Sequence, residues 1–213
     1  MDEATRSKRP ALLAEQAGAV SFPSEELILV DGDDQPVGFG SKARLHAGDG
    51  LLHRAFSVFL LDQQNRILLH RRSEEKPLWP GFWTNSCCSH PRRGENIEGA
   101  VHRRLREELG VRSAHIQSMY SFEYHARFHT VGSEHELCHV YLARLDAAQE
   151  MQMHAGEIMD WGWYSVEEVD AWQLEAPDTL TPWFRMEWQA LREDYAAAMQ
   201  TFMLSSYGPR SAA

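Results

Sequence analysis

Apolar positions in this chain first come in short runs, then recur every four residues, then return to runs, so strands and helices are predicted in turn. Residues 27–31 form an apolar run closed by Gly32-Asp33-Asp34-Gln35-Pro36, which predicts a strand and a turn. Residues 55–61 and 66–71 flank Asp62-Gln63-Gln64-Asn65 and predict a hairpin, so 27–71 reads mostly as sheet. Ile97, Val101, Leu105 and Leu109 then place one apolar stripe on a helix, with Gly110 as its C-cap. Arg104 and Glu108 stand one turn apart beside that stripe, in a row that could line a site. Residues 122–128, 137–143 and 161–164 predict three further strands. Ser165-Val166-Glu167-Glu168 has capping-box form, and Thr181-Pro182 predicts the start of one long helix running to about residue 202. Mixed strands with interspersed helices imply an α/β (α+β) layered fold, a mixed β-sheet sandwiched between α-helices. A single domain is expected over residues 25–204, with tails at 1–24 and 205–213.

Bulk properties narrow the picture. The chain has 213 residues, 43% of them hydrophobic, enough for one sizeable core and too few for several enzyme-sized domains. A formal charge of −10 argues against a nucleic-acid surface, so any phosphate site has to be local. Apolar stretches fall far short of the roughly 20 residues needed to span a bilayer, so membrane insertion is not expected. Three cysteines, two of them adjacent, make no disulfide framework, and a reducing cytoplasmic setting is expected.

The chemistry concentrates in two stretches. Arg103-Arg104-Leu105-Arg106-Glu107-Glu108-Leu109-Gly110-Val111 resembles the second half of a Nudix box, the helix whose carboxylates hold a magnesium-diphosphate. Counted back from Val111, Glu95 meets the pattern's acidic position, whereas Ser89 stands in place of a glycine and Arg104 in place of a glutamate. Replacing a metal-binding carboxylate by arginine should weaken hydrolysis. The second stretch, Trp79-Pro80-Gly81-Phe82-Trp83-Thr84-Asn85-Ser86-Cys87-Cys88-Ser89-His90-Pro91, resembles the signature of the type 1 isopentenyl-diphosphate isomerases, Nudix-fold enzymes that shift a double bond instead of cleaving a phosphate. Their other motifs follow in the same order from about residue 27 to about residue 202.

That resemblance implies a metal held by His46, His53, His90, Glu134 and Glu136. Three nitrogen and two carboxylate donors suit a divalent ion such as manganese (Mn2+), zinc (Zn2+) or magnesium (Mg2+). It further implies Glu136 as proton donor assisted by Tyr124, with Cys88 as the opposing base, the two exchanging roles in the reverse direction. Trp183 matches the residue that stacks over a carbocation, and Phe56 could extend that wall. Lys42, Arg72, Lys76 and Arg104 match diphosphate contacts, and Glu108 with the Cys88 carbonyl matches the site of a second, magnesium ion. The implied partner is a small diphosphate substrate in isoprenoid biosynthesis; a monomer is expected, with a dimer left open.

Residue types alone would leave each histidine as a surface or core group, and Glu134 and Glu136 as a strand's solvated rim. In extended backbone, residues two apart point the same way, so Cys88 and His90 should face one side and Cys87 the other. Two rivals keep parts of the pattern. A Nudix hydrolase would share Glu108 but leave Cys88 and Glu136 without a task. A non-enzymatic metal-binding protein would use the three histidines structurally, yet such zinc sites usually close with spaced cysteine pairs, and no Cys-x-x-Cys occurs.

Overall fold

The hydrophobic runs at 27–31, 55–61 and 66–71 become strands, and the order of the sheet decides which of their faces meets which helix. The computed structural model describes residues 13–14 by their backbone, and residues 20–146 and 149–205. The tails expected at the two ends lie outside the described residues over 1–12, 15–19 and 206–213. Between the first two of these stretches, β1 (Leu13–Ala14) pairs in parallel with a strand at Met153–His154.

A hairpin of β2 (Glu26–Val30) and β3 (Pro36–Ser41) leads into the one-turn helix α1 (Lys42–Leu45), and then into the central strand β4 (His53–Leu61). Strand β5 (Ile67–Arg72) follows through the expected turn. Asp62 Oδ1 organises that turn by accepting from the amides of Gln64 and Arg66, both at 2.9 Å, while Asn65 takes a left-handed φ of 59°. The two strands pair only at Leu61 and Ile67 before diverging, because β4 turns its edge to the short strand β7 (Cys87–Ser89). Strand β6 (Trp83–Thr84), just before β7, pairs with β5.

Helix α2 (Ile97–Leu109) has the expected bounds. Asn96 caps it by accepting from the Gly99 amide, and Gly110 ends it in the left-handed region at φ 69°. Two long strands follow, β8 (Ala114–Phe128) and β9 (Gly132–Leu145), each extending well beyond its apolar run because continuous antiparallel pairing carries the polar positions along. β9 also runs parallel to β4 from His53–Glu136 to Leu61–Arg144. Next come β10 (Met153–His154), β11 (Ile158–Tyr164) on the far side of β5, and α3 (Val166–Glu175), whose Ser165–Glu168 capping box forms as expected.

The single long helix expected from residue 182 is instead two, α4 (Pro182–Glu193) and α5 (Ala196–Leu204). Tyr195 leaves helical geometry at φ −112° and ψ 15°, where its ring stacks on Tyr120 of β8 with centroids 4.3 Å apart. Tertiary stacking there overrides the helical propensity of the sequence.

Alternation along β4 divides the core into two layers. Ala55, Phe59 and Leu61 pack with Cys138, Val140 and Leu142 of β9 and with Trp183, Phe184 and Trp188 of α4. Phe56, Val58 and Leu60 face the other way, against Val101, Leu105 and Leu109 of α2. The result is the expected mixed sheet sandwiched between helices. It also corrects one expectation: Phe56 is fully buried in the layer opposite Trp183 and adds nothing to its wall. No helix among the described residues is long and apolar enough to cross a membrane.

Candidate active site

Strand register assembles the centre of the site. His53 opens β4 beside Glu136 of β9, and Glu136 stands opposite Tyr124 of β8, so three neighbouring strands present these side chains in one row. Glu134, two residues before Glu136, points to the same side. His46 follows the last turn of α1, and His90 follows β7. The ligand atoms of His46, His53, His90, Glu134 and Glu136 all lie within 4.8 Å of one another.

These donors fit a divalent cation. The His46 and His53 rings are held by Nδ1 contacts at 2.7 Å to the Lys42 and Leu51 carbonyls, which leaves the Nε2 lone pairs free to face the cluster. Both Nε2 atoms and Glu134 Oε2 are buried with no hydrogen-bond partner among the described residues, while His90 Nε2 meets Glu136 Oε1 at 2.8 Å. His46 Nε2 and Glu134 Oε2 are only 2.8 Å apart, yet not aligned for a hydrogen bond. Orphaned buried nitrogen and oxygen atoms converging in this way are costly unless a cation satisfies them. Burial, with the neighbouring His46, pushes His53 down to about 3, so its imidazole is neutral and able to ligate. Burial, then the charge of Glu134, raises Glu136 well above the carboxylate range; Tyr124 donates to its Oε2 at 2.6 Å.

Beside the cluster lies a cavity of about 720 Å³, a volume suited to a small ligand. Glu136, Tyr124, Cys88 and Trp183 line its inner part; Lys42, Arg72, Lys76 and Glu157 line another part of its wall. Val20, Ser21, Phe22 and Pro23 complete it from the stretch read as a tail. Register with β4 sets Cys88 opposite Ser57, and the alternation expected for this run is present: Cys88 packs in the Trp183 layer and Cys87 in the α2 layer. The Trp183 indole N–H donates to Cys88 Sγ at 3.2 Å, and Ser57 Oγ lies 3.4 Å from it. Burial, with Glu187 nearby, pushes the Cys88 thiol well above its ordinary range. Arg72 lies over the Trp183 ring at 5.3 Å from its centroid and donates to the Leu78 and Trp79 carbonyls.

Arg104 and Glu108 are not at the cavity surface. Both are 2% exposed, joined through Arg104 Nε and Glu108 Oε1 at 2.7 Å, with the Cys87 thiol donating to Glu108 at 3.4 Å. Two further buried acids, one lining the cavity and one in the core behind Cys88, were not found from the sequence. Glu157 reaches Lys76 Nζ with one oxygen at 2.5 Å and Arg104 with the other at 3.6 Å. It sits in a short loop without motif or periodicity, so nothing in the sequence marked it. Glu187 is fully buried near Ser57 and Cys138. Its position on the apolar stripe of α4, with Trp183, Phe184, Trp188 and Leu191, was a readable signal.

A mixed sheet flanked by helices, with α2 carrying a glutamate behind a diphosphate-sized cavity, defines a Nudix-type protein, and residues 51–184 match the NUDIX domain family. A solved protein of Deinococcus radiodurans shares the fold, with a TM-score of 0.58 at 23% identity over 83% of this chain and 98% of that one. Among curated relatives, isopentenyl-diphosphate Delta-isomerase 1 of Photorhabdus laumondii is 37% identical over 80% of this chain and 97% of its own length. The isopentenyl-diphosphate Delta-isomerase of Serratia proteamaculans is 43% identical over 75% of this chain and 87% of its own. The chain belongs to the isopentenyl-diphosphate Delta-isomerase family.

Proposed function

We propose that this enzyme interconverts isopentenyl and dimethylallyl diphosphate, with Glu136 and Cys88 as its two proton carriers. One observation supports this assignment above the others: a carboxyl carrying a raised pKa and a thiol line the same cavity, beside an indole and a set of cations. The substrate alkene is unactivated. A proton added to its terminal carbon gives a tertiary carbocation, and loss of a proton from the carbon nearer the diphosphate moves the double bond.

Glu136 supplies the first proton. Burial and the neighbouring Glu134 raise its carboxyl toward the protonated form, and the Tyr124 hydroxyl at Oε2 fixes its orientation. Cys88 takes the second on Sγ; the Trp183 N–H directed at Sγ favours the thiolate form against the burial that disfavours it, since indole nitrogen only donates. In the reverse direction the two exchange roles. Trp183 also offers a ring face to the cation, an attraction of about 0.5–2 kcal/mol, and Tyr124, Trp79 and Leu78 help keep water away from it. Lys42, Arg72 and Lys76 hold the diphosphate from the cavity wall, with Arg104 adding its charge from behind.

His46, His53, His90, Glu134 and Glu136 would hold a divalent ion, with manganese, zinc and magnesium all suited to the donor set. When bound, that ion would make the Glu136 proton more acidic. Glu108, bound to Arg104 at 2.7 Å behind the cavity wall, would reach a magnesium ion carried by the diphosphate only by releasing that arginine.

Two variants test the roles. Glu136→Gln and Cys88→Ala should each lower conversion of isopentenyl diphosphate by at least a thousandfold, while Cys88→Ala retains the metal content of the wild type. Residual activity within tenfold of wild type in either variant would remove that residue from the mechanism.

A further inference from the structure

Three cations line the diphosphate end of the cavity and Arg104 lies behind it, but most are already engaged within the protein. Arg72 is bound to two backbone carbonyls, and Arg104 to Glu108 and Glu157. Lys76 is paired with Glu157 at 2.5 Å, while Lys42 has the neutral Ser21 hydroxyl at 2.6 Å. Glu157 is thus an acid placed where an anion is to bind, and the proposed proton transfer gives it no task.

Its position is fixed. The Glu157 amide donates to the His154 carbonyl at 3.0 Å, and its own carbonyl accepts from the Ser73 amide at 2.9 Å, which anchors its backbone at both sides. Burial would raise its carboxyl, yet Lys76 and Arg104 hold it down to about 2, so it stays charged at every working pH. A bare diphosphate reaching Lys76 would bring several negative charges against a carboxylate whose backbone cannot withdraw. A diphosphate carrying a divalent cation brings the charge that offsets this repulsion. Specificity of this kind comes from a repulsive element aimed at the wrong ligand as much as from attraction to the right one.

We propose that Glu157 is a specificity-determining residue that makes the pocket accept a diphosphate only when it arrives paired with a divalent cation. The inference rests on the diphosphate pocket proposed above. It implies that discrimination between a bare and a magnesium-paired diphosphate resides in this residue, beyond any direct ligand to the ion.

Binding of inorganic pyrophosphate to the full chain, followed by calorimetry with and without added magnesium, tests this without turnover. In the wild type, magnesium should tighten binding at least tenfold. Glu157→Gln should tighten magnesium-free binding at least tenfold and change magnesium-paired binding less than threefold, so the ratio collapses; Glu157→Asp should keep the wild-type ratio. A unit charge removed within a few ångströms, at an effective dielectric of about 20, is worth well over a factor of ten. If Glu157→Gln does not fold, Lys76→Gln reads the same contact from the other side: the unpaired Glu157 should widen the magnesium ratio at least tenfold. A ratio unchanged in Glu157→Gln, or in Lys76→Gln where that variant is used, overturns the proposal, as does weaker magnesium-free binding in Glu157→Gln. Wild-type protein that binds pyrophosphate in neither condition refutes the pocket itself, a different result from an unchanged ratio.

Discussion

Replacing Glu187 by glutamine should stabilise the protein, and by an amount that grows with pH. Glu187 is fully buried on α4; its Oε1 accepts from the Cys138 thiol at 3.6 Å, and its Oε2 has no partner among the described residues. Burial pushes its carboxyl from 4.5 up to about 8, and the contacts with Ser57 and Cys138 lower it only in part. Between those two values the folded protein keeps a proton that the unfolded chain releases. Stability is therefore full below about pH 4.5 and declines as pH rises toward 8, at about 1.4 kcal/mol per pH unit. At pH 7, above the unfolded value and below the folded one, the loss relative to a neutral side chain is about 3.5 kcal/mol. Guanidinium unfolding of metal-replete wild type and Glu187→Gln, followed by tryptophan fluorescence at pH 5 and pH 8, isolates this term. Any fixed cost of the glutamine amide cancels between the two pH values. The advantage of the variant should grow by about 4 kcal/mol from pH 5 to pH 8. An advantage equal at both would show that Glu187 titrates normally and that its surroundings are wetter than the packing implies.

Three further outcomes follow from named contacts. Cys87→Ala should retain turnover within about threefold while Cys88→Ala loses it, since only Cys88 lines the cavity and Cys87 faces α2; the opposite pattern in an activity assay would mean the register of β7 is wrong. Gly110→Ala should cost about 2 kcal/mol, seen as a fall of about 4–8 °C in the thermal midpoint, because φ is +69° and the new Cβ would stand 2.8 Å from the Gln152 amide nitrogen. Burial and the nearby Lys76 lower Lys42 to about 8, so a cation is lost from the free enzyme as pH rises through that value. kcat/KM for isopentenyl diphosphate should therefore decline above about pH 8 while kcat declines only at higher pH, because a bound anion holds the proton in place.

What could be read in the sequence was what local chemistry decides. The four-residue spacing from Ile97 to Leu109 and the glycine after it gave α2 its bounds, because caps and periodicity act within one element. Period-two alternation separated Cys88 from Cys87, and the resemblance of Trp79–Pro91 to a known signature pointed to five residues from three distant stretches that the structure brings together as a candidate metal cluster. Long-range packing was not legible. Tyr195 breaks the last helix through a ring on β8, Phe56 turns to the α2 side because of the phase of β4, and Glu157 meets Lys76 from 81 residues away. Glu187 lies between: an acid on an apolar stripe was visible, but its burial depends on Ser57 and Cys138 in other strands.

The most direct measurement of the central claim is incubation of the metal-replete chain with isopentenyl diphosphate and magnesium in deuterated water, with the organic products and free phosphate both followed. The account predicts dimethylallyl diphosphate carrying deuterium in a methyl group, with no phosphate or diphosphate released. Free phosphate without isomer would point to a hydrolase of the same fold, and unchanged isopentenyl diphosphate would contradict the assignment of Glu136 and Cys88 as proton carriers.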